Sequence, residues 1–78
     1  MTARKQMPAA QLRVNLKACT ERMQELRAED RVDRDRHEKN SPMWRYYDGR
    51  VRAHTLSLHA LFTWTYGEFG EDFEGGAQ

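Results

Sequence analysis

The residues best suited to chemistry gather where the sequence is most polar. Asp30, Asp33 and His37 recur at three- and four-residue spacing, which places them on one side of a helix, and a chain reversal between them and His54 would bring that imidazole opposite. Carboxylates and imidazoles converging in this way are a donor set for a divalent metal. Their neighbours oppose it. Arg31, Arg34, Arg36 and Arg50 fall at the same level and would repel a cation, so a salt-bridge cluster is the expected role, with no metal and no other cofactor. Nucleophilic catalysis has less support still. Cys19 lies between Leu16 and Met23 on an apolar seam, where a thiol is inert packing. Neither Ser41 nor Ser57 has a motif around it, and His59 reads as a surface or interface residue rather than a base. The chain is therefore expected not to be an enzyme.

A second constellation is built for contact. Arg45, Arg50 and Arg52 interleave with Trp44, Tyr46 and Tyr47, a mixture that can neutralise phosphate and stack bases, and Arg4, Lys5, Arg13 and Lys17 could add phosphate contacts. Trp, Tyr and Arg are also the residues that dominate protein–protein hot spots. Net charge helps to choose. It is only +1 over 78 residues, with six basic against two acidic residues through Arg27, and Glu68, Glu71, Asp72 and Glu74 unopposed after residue 66. Acidic runs of this kind would repel a nucleic-acid backbone, and a basic head can attract an acidic tail within or between copies. Protein–protein recognition is the preferred function, acting by occupancy, with a small nucleic-acid-binding helical protein using Trp44, Tyr46 and Tyr47 as the alternative.

The elements that must position these residues follow from apolar spacing. Val51, Leu58, Leu61 and Thr65 form one helical seam, with Thr55, Phe62, Tyr66 and Phe69 beside it. Ala53, Leu56, Ala60 and Trp64 lie on a different side. One antiparallel neighbour covers about one stripe, so the second must meet another chain, a folded-back tail or water. Another chain is favoured, which makes Trp44, Tyr46, Tyr47, Arg50, Arg52, Leu56, Ala60 and Trp64 the expected partner-binding set.

Upstream, Leu12, Leu16, Cys19, Met23 and Leu26 follow a four-three-four-three spacing after Pro8, the pattern of a helix with one apolar seam. Charged residues four apart, Asp30 with Arg34, Arg31 with Asp35, Arg34 with Glu38 and Asp35 with Lys39, extend that helix to Lys39 as a solvated arm. Asn40-Ser41-Pro42 then punctuates the chain: a left-handed stop, a capping hydroxyl and a first-turn proline. Asp48-Gly49 could break the second helix into two, but the heptad phase from Trp44 to Thr65 runs through it, and one continuous helix is expected. Gly67 and Gly70 are stop signals. The fold class is all-α: an antiparallel helical hairpin over 8–69, preceded by a flexible basic arm (1–7), followed by an acidic flexible tail (70–78), and assembling into a helical bundle. Reversal at Ser41 puts Leu26 opposite Thr55, Met23 opposite Leu58 and Cys19 opposite Phe62, with Asp30 and Asp33 approaching Tyr47, Arg50, Val51 and His54.

The run Tyr46-Tyr47-Asp48-Gly49-Arg50-Val51-Arg52-Ala53, with Leu56 after it, resembles the aromatic-x-x-Gly-Arg-x-x-Ala segment in the second helix of small bacteriophage-encoded helical-hairpin proteins. That resemblance implies an accessory factor, of the size of anti-CRISPR and other anti-defence inhibitors that block a host protein, working in the host cytosol. It carries no residue roles. Independently, a lone cysteine without disulfide or zinc-finger spacing points to a reducing, cytoplasmic compartment, and no apolar run has the ~18 residues needed to span a bilayer, so no membrane partner is expected.

Overall fold

The computed structural model describes residues 7–72 as two long helices joined by a tight reversal, followed by a short strap. Helix α1 covers Ala9–Asp35 and α2 covers Pro42–Trp64. They pack against each other as an antiparallel hairpin, and the described residues contain no strand. Residues 1–6 of the expected basic arm and 73–78 of the expected tail lie outside the described residues.

Helix α1 stops earlier than its charge pattern predicts. The Arg36 and His37 amides turn back to the Asp33 and Arg34 carbonyls, tightening the last turn, and the run to Lys39 is a turn rather than helix. The cause is tertiary. The expected pairs four residues apart give way to partners on α2, because Arg34 bonds Asp48, and Asp30 bonds Arg50 and His54. A pair along one exposed helix is worth only ~0.2–0.5 kcal/mol, so contacts to a second helix readily outcompete it.

The reversal itself uses the chemistry its residues suggest. Asn40 is left-handed at φ 69°, and the Ser41 hydroxyl accepts from the Trp44 amide at 3.3 Å with Pro42 in the first turn. Helix α2 then runs unbroken through Gly49. No backbone approaches Gly49: a Cβ there would meet nothing within 4 Å. Asp48, inside the helix, caps nothing and instead takes Arg34 and Arg52.

After Trp64 the chain ends α2 with a reversed pair of hydrogen bonds. Gly67 N–H reaches the Phe62 carbonyl at 2.8 Å, Tyr66 N–H reaches that of Thr63 at 3.3 Å, and Tyr66 takes the left-handed conformation, φ 56°. Residues 65–71 then fold back as a strap over the hairpin. Gly70 N–H donates to Thr20 Oγ1 at 3.0 Å on α1, and Glu71 N–H donates to the Leu58 carbonyl at 3.0 Å on α2. Gly70 and Glu71, placed in the tail by sequence, are thus bonded to both helices.

The core lies under this strap and is thin. Among the described residues, the buried apolar side chains are Val51 and Leu58, with relative exposures of 6% and 0%. Leu16, Cys19, Met23, Leu26, Leu61, Phe62 and Phe69 are half-buried, whereas Leu12, at the start of the expected α1 seam, is exposed. Two helices and a strap cannot enclose side chains on every side, and so small a core supports only a few kcal/mol of stability.

Candidate functional site

Two regions hold the residues that the sequence singles out. The first is a polar lattice between the helices at the reversal end. Asp30 is the buried charge at its centre: Oδ1 accepts from Arg50 Nε at 3.0 Å, and Oδ2 lies 2.9 Å from His54 Nε2. One turn on, Arg34 donates to Asp48 at 2.9 Å and to Asp35 at 3.0 Å, while its guanidinium lies 5.5 Å from the centre of the Trp44 ring. Asp48 also receives Arg52 at 2.9 Å. His37 stacks on Tyr47 at 5.8 Å, and Tyr46 meets the Tyr47 ring edge-on. The register is the one expected from reversal at Ser41, with Asp30 between Arg50 and His54 and Arg27 beside Thr55.

The electrostatics follow from these pairings. The Arg50 guanidinium is held above its ordinary value by its hydrogen bond to Asp30, and Arg34 is held up by Asp35 first and Asp48 second. Both oxygens of Asp30 are engaged by nitrogen groups, Asp33 bonds Arg36, and His37 faces an aromatic ring. Among the described residues, no group of three or more His, Cys, Asp and Glu side chains is arranged to hold a metal ion. The geometry of this end ties the two helices together.

At the far end, a second set of charges secures the strap. Glu71 accepts from Gln24 at 2.6 Å and from Arg27 at 2.7 Å, and Glu68 pairs with Arg13, whose guanidinium also lies 6.0 Å from the Phe69 ring centre. The Glu71 carboxyl is held below the usual carboxylate range chiefly by the Arg27 hydrogen bond, against the opposing effect of partial burial. Sequence reasoning allowed an attraction between the basic head and the acidic tail within the chain but did not name the residues that meet. The signal for them was available: the acid-rich stretch after Gly67 and the basic residues of α1 could have been matched as an intramolecular pair.

The second region is the outer face of α2. Leu56 is 57% exposed, Trp64 82% and Tyr46 56%, and Gly49, Ala53, Ser57 and Ala60 are exposed between them. From Ala53 to Gly67 there is no Asp, Glu, Lys or Arg at all. The outer surface of α1 is the opposite, carrying Lys17, Glu21, Arg22, Glu25, Glu29 and Arg31 in exposed positions. The structure therefore separates the sequence-selected contact residues. Trp44 and Tyr47 are half-buried in the lattice, Arg50 and Arg52 are paired to Asp30 and Asp48, and Tyr46, Leu56, Ala60 and Trp64 share the open face.

Below this face, no helix among the described residues is long and apolar enough to cross a membrane. Compared with known proteins, the chain matches no family model, no curated protein and no solved structure.

Proposed function

We propose that this helical hairpin is a non-enzymatic protein-binding module whose contact surface is the outer face of α2. The observation that carries the reading is the 82% exposure of Trp64 together with that of Leu56, within a stretch from Ala53 to Gly67 that has no Asp, Glu, Lys or Arg. A large indole left in water is unfavourable by roughly 25 cal/mol per Å² of apolar surface, and the chain's own strap covers the opposite side of α2. Trp and Tyr are suited to such a role because they bring a large contact area at little cost in side-chain freedom. The paired charges at the reversal end hold α2 straight and in register, which presents the face as a rigid rod. Action is by occupancy. The partner is either a second copy of the chain or, on the resemblance of the Tyr46–Leu56 segment to small phage hairpin proteins, a host defence component blocked in the cytosol.

Nucleic-acid binding is the weaker reading because several of its residues are paired within the chain. Arg50 and Arg52 are neutralised by Asp30 and Asp48, and Trp44 lies against Arg34. The test is Trp64→Glu in the full chain. Helicity by circular dichroism should stay near that of the parent, because the side chain touches no core residue, while association with the partner should fall at least tenfold. Unchanged association would remove the α2 face from the function, and retention of a single-stranded oligonucleotide at low salt but not at high salt would favour the alternative.

A further inference from the structure

We infer that the protein covering this face is a second copy of the same chain, laid antiparallel along α2 about a two-fold axis that passes between Leu56 and Ser57. The inference rests on the reading of α2 as a protein-binding face and names its occupant. Two observations carry it, one of size and one of charge.

Size alternates along the face so that it complements its own reversal. Counting outward from that axis in an antiparallel pair, Leu56 falls opposite Ser57 of the second copy, Ala53 opposite Ala60, and Gly49 opposite Trp64. The large side chains thus meet small ones, and the largest meets the smallest. Gly49 is suited to receive an indole: it lies in mid-helix, exposed, and a Cβ built on it would meet nothing within 4 Å, so the described residues give no packing reason for glycine. A glycine inside a helix is unfavourable on its own, whereas a bare backbone patch lets another chain approach closely. In a parallel pair the match is lost, because Trp64 would meet Trp64 and Gly49 would meet Gly49.

Charge selects the same direction. Arg45 is exposed near the beginning of α2, and Glu68, just past its end, is 40% exposed in its pair with Arg13. Counting along the chain, antiparallel pairing places Arg45 of one copy beside the turn that carries Glu68 of the other, at both ends of the interface. Parallel pairing would set base beside base and acid beside acid. An isologous two-fold contact of this kind closes on itself, leaving a four-helix assembly with no second open face of the same type.

The experiment uses the full chain and four variants. Light scattering across a concentration series should give twice the 9.2 kDa chain mass at high concentration. Gly49→Gln, which removes the recess and favours helix in the monomer, should weaken pairing at least tenfold without lowering helicity. In a Cys19→Ser background, Ser57→Cys should oxidise to a covalent dimer, because residues beside the axis meet their own copies, and Arg45→Cys should not. A chain monomeric at every concentration overturns the proposal. If Trp64→Glu then still abolishes binding to a different protein, the reading of α2 as a contact face survives; if Trp64 fluorescence in that monomer is that of a buried indole, the chain's own remaining residues cover the face. A dimer indifferent to Gly49→Gln, or one that cross-links through Arg45→Cys and not Ser57→Cys, overturns the antiparallel register.

Discussion

Asp30 is the residue whose loss should be felt most widely, because one buried carboxylate answers two partners on the other helix. Asp30→Ala would leave half-buried His54 facing a position with no acceptor and release exposed Arg50 to water, and losing the His54 hydrogen bond is expected to cost ~1 kcal/mol, read from the urea midpoint. Asp30→Asn should be milder, since the amide oxygen still accepts. That Asp30 lies near Arg50 and His54 was legible from sequence spacing and the position of Ser41. What was not legible is that Asp33 and His37 turn elsewhere, toward Arg36 and Tyr47. Sequence spacing places Cβ atoms on a helix face; it does not decide which of several neighbouring arginines a carboxylate takes, nor where the helix stops.

At the scale of elements, the strap is the feature with most consequence. Gly70 is at φ 77°, and a Cβ on it would run into the Leu58 carbonyl and lie 2.6 Å from the Phe62 nitrogen, so Gly70→Ala is strained twice. Its expected effect is a loss larger than ~1 kcal/mol, with faster amide exchange at Glu71 as the strap lifts. The strap should also respond to acid. Glu71 faces Arg27 and Gln24, with Arg31 adding to the field, and its folded-state pKa lies below the unfolded value. A depressed carboxyl stabilises the fold above its unfolded pKa, and that contribution disappears as pH falls through the ordinary carboxylate range and then through the lowered folded value. Thermal midpoints should therefore drop with acidification in the parent and drop less in Glu71→Gln, which starts lower at neutral pH. A parent and variant with parallel pH profiles would remove Glu71 from the acid response.

For the whole molecule, the question is how so few buried side chains hold a hairpin whose principal extents are 54 × 29 × 20 Å. Val51 and Leu58 alone are buried apolar residues among those described, so the margin from the core is narrow. Binding to the folded state adds stability by mass action, and self-pairing through α2 predicts an unfolding midpoint that rises with protein concentration in the parent. In Trp64→Glu that rise should be absent. Calorimetry over a hundredfold concentration range checks both.

Sequence alone determined the all-α hairpin and the cap at Ser41 and leaned toward an unbroken α2, because apolar periodicity, capping and turn chemistry are local properties written in neighbouring residues; that α2 passes through Gly49 was decided by the structure. Tertiary structure decided the rest. Ion pairs to α2 replaced the pairs four residues apart along α1, and the helix ended at Asp35 rather than Lys39. The return of Gly70 and Glu71 across Thr20 and Leu58 joined residues far apart in the chain, and that return, by covering one side of α2, determined which side was left open. Contacts between residues remote in sequence depend on relative placement in three dimensions, which no local pattern specifies.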